Sequence, residues 1–133
     1  MIIDAEDAIL GRMSSFVAKN LMKGESIDIV NAERAIITGN PVTAEKKYLA
    51  RKSRGSPQHG PFYPTTPSLM VRRAIRGMLP YKKPKGREAF KKLRVYAGKP
   101  KEFDGKDVMR FAEKQKDVEC RFIRIEELSR KLR

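Results

Sequence analysis

The sequence predicts an α/β fold with a mostly parallel sheet, and its first thirty residues indicate this most directly. Met1 to Ile3 is short, apolar and rich in β-branched side chains, as is typical of a strand. Apolar residues then recur three and four positions apart and define one face of a helix: Leu10, Met13, Val17 and Leu21. Ser26 to Asn31 alternates apolar and polar side chains, which predicts a second strand. A strand, a helix and a strand within about thirty residues have the size of a parallel crossover unit.

The next stretch predicts a second helix. Gly24 is placed to end the first helix. Ala35 to Thr38 is apolar, and the pattern fits either a short strand or the start of the following helix. Asn40 is the expected N-cap, with Pro41 at the first helical position. This second helix is expected to end near Arg51 to Arg54.

A proline-rich loop is predicted from Arg51 to Pro67. Its four prolines and two glycines forbid a regular helix or a central strand, and it contains three cations and no acid. Phe62 and Tyr63 can stack on splayed bases, or they can pack back on the core of the protein. His59 has no second histidine or paired cysteine with which to complete a metal site, so no metal is expected.

A cationic amphipathic helix is predicted from Leu69 to Leu79, with Ser68 as its N-cap. One broad face is apolar: Met70, Val71, Ala74, Ile75, Met78 and Leu79. The opposite arc carries three arginines: Arg72, Arg73 and Arg76. A planar guanidinium donates two parallel hydrogen bonds to a phosphate, so these arginines are candidate phosphate ligands. A helix of this kind could also lie on a membrane, but its short length and the absence of tryptophan argue against that.

The remaining elements are shorter. Pro80 is expected to end the arginine helix, and Tyr81 to Gly86 forms a basic turn. Arg87 to Leu93 predicts a short helix, with Ala89, Phe90 and Leu93 facing inward and Lys91 and Lys92 facing outward. Arg94 to Gly98 predicts a third strand.

Three elements are expected in the tail. Asp104 or Gly105 is the expected cap of a helix that contains Val108, Met109 and Ala112. Arg121 to Arg124 alternates and predicts a fourth strand. A closing helix follows, with an apolar edge of Ile125, Leu128 and Leu132. Cys120 lies beside this apolar pattern and is expected to be buried or half-buried.

The net positive charge of the protein is concentrated in the middle of the chain. We call Arg51 to Lys101 the basic stretch; it holds fifteen Lys and Arg residues and a single acid, Glu88. The two flanks, residues 1–50 and 102–133, are nearly neutral, with six cations and seven acids in the first and nine and eight in the second. Like charges concentrated in one segment repel each other, and a polyanionic partner would relieve this repulsion. The charge pattern therefore favours nucleic-acid binding over a surface that contacts only solvent.

Composition excludes several classes of protein. The 133 residues fit a single domain with a modest core, and no apolar run approaches the roughly twenty residues of a membrane span. No signal peptide is expected from the N-terminal residues, and the one cysteine cannot form an internal disulfide, so a reducing cytosolic location is expected.

An enzyme is a remote alternative. The strand-turn-helix from Ile3 to Arg12 is a place where α/β proteins can hold a nucleotide phosphate. The chain contains neither of the glycine-rich phosphate-binding patterns that would support this. Asp4, Glu6 and Asp7 precede the helix, where acids are more often dipole and cap partners than metal ligands.

Several motifs together resemble the family of large-subunit ribosomal protein L-thirteen. The main one runs from Ile75-Arg76-Gly77-Met78-Leu79-Pro80 through Gly86-Arg87 to Leu93-Arg94-Val95-Tyr96-Ala97-Gly98. Ile3-Asp4-Ala5, Leu10-Gly11-Arg12, Val30-Asn31-Ala32-Glu33 and Thr38-Gly39-Asn40 resemble other parts of the family. The region from Arg54 to His59 is similar to the archaeal and eukaryotic branch, although Ser56 to Gly60 departs from the usual order and the tail beyond Lys101 matches weakly.

The resemblance implies a three-layer α/β/α fold with a small, mostly parallel sheet of about four strands. It implies a single rRNA-binding domain, 1–133, with the basic loop and helix region 51–101 inserted in it. It implies a non-enzymatic component of the large subunit in the cytoplasmic ribosome, with large-subunit rRNA and other ribosomal proteins as partners and a role in assembly. No cofactor, membrane or small-molecule substrate is expected.

The candidate RNA ligands combine the cations of the basic stretch with the loop side chains that can stack. They are Arg51, Lys52, Arg54, His59, Phe62, Tyr63, Arg72, Arg73, Arg76, Lys82, Lys83, Lys85, Arg87, Lys91 and Lys92. Such contacts to phosphates position a protein on RNA rather than read its sequence. A free-standing RNA- or DNA-binding regulator is the main alternative, because charge alone does not separate it from a ribosomal protein.

Overall fold

A computed structural model of the chain describes residues 1–114 and 120–133. Its strands are β1 (Ile2–Asp4), β2 (Ile27–Val30), β3 (Ile36–Thr38), β4 (Leu93–Val95), β5 (Met109–Arg110) and β6 (Phe122–Arg124). Its helices are α1 (Leu10–Met22), α2 (Pro41–Lys52), α3 (Pro67–Arg76), α4 (Pro84–Lys91) and α5 (Ile125–Leu132).

Four parallel strands form the main sheet, in the order β4-β2-β1-β5. Ile3 lies opposite Ile29 of β2 and Met109 of β5, so β1 is hydrogen-bonded on both sides. β3 and β6 form a separate antiparallel pair in which Ile37 lies opposite Ile123. With five helices around a mostly parallel sheet, the chain has the expected three-layer α/β fold.

Burial follows the predicted periodicities in the flanks. Alternate residues of β2 are fully buried, and α1 buries the predicted face of Leu10, Met13, Val17 and Leu21. α5 buries Ile125, Leu128 and Leu132. α1 packs against α3 and α4, and α5 packs against α2 and α3, so the flanks and the basic stretch share one hydrophobic core.

The boundaries of α2 are as predicted. The side chain of Asn40 accepts a hydrogen bond of 3.0 Å from the backbone nitrogen of Val42, and Pro41 occupies the first helical position. The ambiguous stretch before it is a strand, because Ile36 to Thr38 pairs with β6. Gly24 follows the end of α1 with φ +96°, a conformation that glycine adopts without strain.

The arginine helix differs from the prediction at both ends. α3 begins at Pro67 with Thr66 as its N-cap, so the assignment of Ser68 as N-cap is wrong; a proline at the first helical position has the required φ already. The helix ends at Arg76 rather than at Leu79, because a residue before a proline disfavours the helical conformation. Met78 consequently leaves the predicted inner face and is 46% exposed.

Other predictions shift or fail in the second half of the chain. α4 begins at Pro84 rather than at Arg87, and Leu93 opens strand β4 instead of closing the helix. The predicted helix is wrong at Val108 and Met109, whereas Ala112 lies in a short 3-10 helix, Phe111–Lys114. Met109 and Arg110 form strand β5 against β1, since the open edge of the sheet offers backbone partners that the local sequence does not reveal.

The fourth predicted strand exists but belongs to the other sheet. β6 pairs with β3 and does not extend the parallel sheet, whose fourth strand is β5. Cys120 is exposed, so the prediction of a buried cysteine is wrong; it lies just before β6, outside the alternating pattern. After α2, the chain continues through the proline-rich loop, α3, the basic turn and α4. It then returns to the main sheet at β4.

Candidate nucleic-acid interface

The candidate cations lie on four consecutive pieces of structure. Arg51 and Lys52 end α2, and Arg54 opens the proline-rich loop. Three arginines lie on α3, and the rest lie on the turn before α4, on α4 itself and on its C-cap: Lys82, Lys83, Lys85, Arg87, Lys91 and Lys92. Arg51 and Arg72 are half-buried, whereas the other cations of this set are exposed.

Four of the arginines lie over aromatic rings of the protein itself. The guanidinium carbon of Arg73 is 4.2 Å from the centre of the Tyr63 ring, and that of Arg76 is 4.3 Å from the Tyr81 ring. The corresponding distances are 4.6 Å for Arg72 over Phe90 and 5.4 Å for Arg51 over Tyr48. A ring attracts a cation through its quadrupole but carries no net charge, so these contacts orient the guanidiniums without neutralising them.

Three further cations of this set are held by backbone carbonyls. Nε of Arg87 donates to the carbonyl oxygen of Tyr81 at 3.1 Å, and Nζ of Lys92 donates to that of Gly24 at 3.3 Å. Nζ of Lys52 donates to the carbonyl oxygen of Leu132. A carbonyl is neutral, so these contacts also leave the positive charge uncompensated.

The ion pairs within the part of the chain that the structure describes all use cations of the flanks. Arg124 lies 2.7 Å from Asp7, and Arg34 lies 3.4 Å from Glu6. The remaining pairs likewise involve Arg34, Arg130 and Lys131 with acids of the flanks. Within the described residues, the cations of the basic stretch therefore have no carboxylate partner, whereas four cations of the flanks do: Arg34, Arg124, Arg130 and Lys131.

Backbone hydrogen bonds within the proline-rich loop close part of it into a hairpin. Ser56 and Gly60 exchange two backbone hydrogen bonds, of 3.2 and 2.8 Å, which close a small hairpin with Pro57, Gln58 and His59 at its tip. Gly55 has φ +83°, and a Cβ there would overlap the carbonyl oxygen of Gly60, so only glycine fits.

The two aromatic residues of the loop have different environments. Phe62 is 70% exposed, so it does not pack on the core and remains free to stack on a partner. Tyr63 is half-buried beneath the guanidinium of Arg73. Neither residue is among those packed against the hydrophobic core, and stacking on RNA stays a prediction for both.

Gly86 fixes α4 against the turn that precedes it. This glycine is buried, and a Cβ there would overlap the carbonyl oxygen of Pro80 and crowd the nitrogen of Tyr81. The close approach brings Tyr81 into position under Arg76 and lets its carbonyl accept from Arg87. Gly86 belongs to the motif that resembles the family, and packing explains why a glycine is needed there. It helps to position Arg76 and Arg87, two cations of the candidate surface.

A cavity of about 430 Å³ opens where α2, the loop and α3 meet. Its lining includes two tyrosines and four cations: Tyr48, Tyr63, Arg51, Lys52, Arg54 and Arg73. Burial raises the pKa of Tyr48 above its usual value of 10.0, and the neighbouring Arg51 acts in the opposite direction. The Tyr48 hydroxyl is therefore protonated at neutral pH and able to donate a hydrogen bond.

The sequence pointed to the cations but not to the rings beneath them. Tyr48 precedes Arg51 by three positions on a helix, a spacing at which side chains meet, so this contact was predictable from the sequence. Tyr81 and Phe90 lie outside α3, and only the fold brings them to Arg76 and Arg72. The positions of these two rings along the chain give no sign of either contact.

The acidic residues near the end of β1 have structural partners. Oδ1 of Asp4 accepts from the Glu6 nitrogen at 2.9 Å and from Nδ2 of Asn31 at 3.1 Å, while Glu6 pairs with Arg34. Residues 1–114 and 120–133 contain no group of three or more His, Cys, Asp or Glu side chains arranged to hold a metal ion. None of the helices described in these ranges is long and apolar enough to cross a membrane.

Fold and charge together define a small α/β protein whose basic stretch has no carboxylate partner within the described residues. A family model described as Ribosomal protein L13 matches residues 1–102. The chain belongs to this family, whose members are structural ribosomal proteins and not enzymes. The same membership confirms the predicted location, the cytoplasmic ribosome.

Similar proteins carry the name large ribosomal subunit protein uL13. That of Methanopyrus kandleri is 54% identical over 100 residues, which cover 75% of this chain and 63% of the relative. That of Methanocaldococcus jannaschii is 54% identical over 104 residues, or 75% and 76% of the two chains. That of Methanosarcina barkeri is 42% identical over 134 residues, or 98% and 96%. These relatives are archaeal, in agreement with the predicted branch.

Proposed function

We propose that this protein binds and braces large-subunit rRNA through phosphate contacts and thereby supports assembly of the large subunit. The observation that carries the proposal is the absence of carboxylate partners for the basic stretch among the described residues, where every ion pair uses a cation of the flanks. Exposed guanidiniums and ammoniums release the counterions condensed on phosphates and hold together RNA segments that otherwise repel each other.

The proposal assigns the contacts to the candidate ligands named from the sequence. These ligands are the arginines of α3, the lysines of the turn and α4, and the loop residues His59 and Phe62. They follow one another along the basic stretch and supply cations and exposed rings. The flanks and the basic stretch act as one domain, 1–133, in which region 51–101 is the RNA-binding insertion. The shared core supports this, because α3 and α4 pack on α1. Other large-subunit proteins are further partners.

The salt dependence of binding tests the proposal. If about six to ten phosphates are engaged, the affinity for isolated large-subunit rRNA falls by about 10³ to 10⁵ between 50 and 200 mM salt, on the calibration for duplex DNA. Filter binding or fluorescence anisotropy with labelled rRNA measures this slope. A flat response would contradict phosphate-dominated binding.

A free-standing regulator of RNA or DNA would carry the same charge, and sedimentation separates the two functions. On a sucrose gradient of cell extract, a ribosomal component travels with the large subunits, whereas a regulator remains in the soluble fraction. The names of the relatives favour the first outcome. A protein confined to the soluble fraction would favour the regulator.

A further inference from the structure

The cavity between α2, the loop and α3 has a composition that the phosphate-bracing function does not require. We call it the tyrosine pocket, defined by Tyr48, Arg51, Lys52, Arg54, Tyr63 and Arg73. A surface that only braces phosphates needs exposed cations, and it needs neither a concave shape nor aromatic walls. The tyrosine pocket has both, with a volume of about 430 Å³.

Each wall of the pocket is fixed by a contact within the protein. The guanidinium of Arg73 lies over Tyr63 at 4.2 Å, and that of Arg51 lies 5.4 Å from the Tyr48 ring. Lys52 is tied to the carbonyl of Leu132, which also lines the cavity. No acidic residue is found among its described lining residues, so the pocket favours a ligand that carries negative charge and a flat aromatic face.

We propose that the tyrosine pocket takes one unpaired nucleotide of the bound RNA, with its base against a tyrosine ring and its phosphate on the arginines. The inference rests on the proposed rRNA binding and deepens it. Small-ligand pockets measure about 300–1,000 Å³, so this one admits a single nucleotide and excludes a duplex. Bases within a helix are stacked and paired, whereas a base in a loop or bulge can splay out onto an aromatic side chain.

The chain provides a matched control for this proposal. Arg76 lies over Tyr81 at 4.3 Å, almost the same arrangement as Arg73 over Tyr63, and the two arginines are three residues apart on α3. Tyr81 does not line the tyrosine pocket. A difference between the two tyrosines therefore reports on the pocket, because both variants remove a ring from beneath an arginine.

The experiment compares Tyr63→Leu with Tyr81→Leu in the full chain, with isolated large-subunit rRNA at fixed salt. One base stacked on an aromatic ring contributes about 1–3 kcal/mol, so Tyr63→Leu is expected to weaken binding by about five- to 150-fold. Tyr81→Leu is expected to weaken binding less than Tyr63→Leu does, because it loosens Arg76 without removing a wall of the pocket. Tyr63→Phe keeps the ring and is expected to restore binding to within about twofold.

Chemical probing of the rRNA gives a second readout. Wild-type protein is expected to protect an unpaired base, which becomes reactive again with Tyr63→Leu and stays protected with Tyr81→Leu. Equal affinity losses and identical protection patterns for the two variants would overturn the pocket while salt-dependent rRNA binding stands. Loss of salt-dependent binding in the wild type would overturn the pocket together with the proposed function.

A second pair of variants keeps the test valid if Tyr63→Leu fails to fold, as judged by its thermal melting. Arg54 lines the pocket from the loop, whereas Arg94 is an exposed arginine of β4 that does not line it. Both arginines belong to the basic stretch, so changing either one to glutamine removes the same charge. Arg54→Gln is expected to release the protected base and Arg94→Gln to leave it protected; the same pattern for both would overturn the proposal.

Discussion

Arginine side chains have different partners in the flanks and in the basic stretch. In the flanks, the guanidinium of Arg124 lies 2.7 Å from a carboxylate of Asp7, although the Phe122 ring is also 5.9 Å away. In the basic stretch, Arg73 and Arg76 lie over tyrosine rings at 4.2 and 4.3 Å. A carboxylate cancels the charge of an arginine and a ring does not, so the ring-bound arginines of the basic stretch keep their charge for a polyanion.

The largest expected effect concerns the glycines of the two regions. Gly86→Ala in the basic stretch places a Cβ against the backbone of Pro80, and overpacking against backbone costs about 3 kcal/mol of unfolding free energy. Gly11→Ala in the flanks has nothing within 4 Å and lies in a helix, so it is expected to be neutral or stabilising by up to about 1 kcal/mol. Urea denaturation measures both; equal effects would mean that α4 does not rest closely on the turn.

The next effect concerns RNA binding. Arg72→Ala with Arg76→Ala is expected to weaken rRNA binding by roughly a hundredfold, from about 1.4 kcal/mol per lost phosphate contact, and to lower the salt slope by about two. The fold is expected to survive, because neither side chain belongs to the core.

A double variant of the flanks is the control for this prediction. Arg34→Ala with Arg130→Ala removes the same charge from residues that pair with acids of the flanks. Little change in affinity is expected for it. Equal losses for the two double variants would mean that only net charge matters and that the location of the arginines does not.

A smaller effect is expected for an ion pair of the flanks. Lys131 lies 3.3 Å from Glu45 and joins α5 to α2, and both side chains are partly exposed. Glu45→Gln is expected to lower the unfolding free energy by less than about 1 kcal/mol, since exposed pairs contribute little. Thermal melting in low and high salt measures it. A loss of several kcal/mol, or a weakened affinity for rRNA, would contradict a minor, local role for this pair.

The smallest effect concerns Tyr48, which lies at the border of the two regions. Its pKa is raised in the folded protein, mainly by burial, so the folded state holds the proton more tightly than the unfolded state does. This stability is fully present below pH 10.0 and is lost as the pH rises through the folded pKa. Tyr48→Phe is expected to flatten the fall in stability above pH 10.0. Urea midpoints of both proteins measure this, and parallel curves would contradict it.

The sequence predicted the first forty residues better than the rest of the chain, and the reason is physical. Their periodicity matches burial in α1 and β2. The tail did not follow its local pattern, because Met109 and Arg110 complete the edge of a sheet formed by distant residues. Long-range pairing of this kind overrides local preference and leaves no trace in the neighbouring sequence.

The candidate surface was predictable as a set of charges but not as a geometry. Fifteen cations with a single acid are visible in the composition of residues 51–101. The ring beneath Arg76 comes from Tyr81 beyond the end of α3, and Gly86 brings that ring close. The cavity needed α2, the loop and α3 to converge, which no single segment encodes.

The contact of arginines with rings has a consequence for the entropy of binding. A free arginine side chain carries about 2 kcal/mol of rotamer entropy, which is lost when the side chain is ordered. Arg51, Arg72, Arg73 and Arg76 are already restrained by rings of their own chain, so much of that loss occurs when the protein folds. The same number of freely rotating lysines would carry equal charge to the RNA and would bind it less tightly.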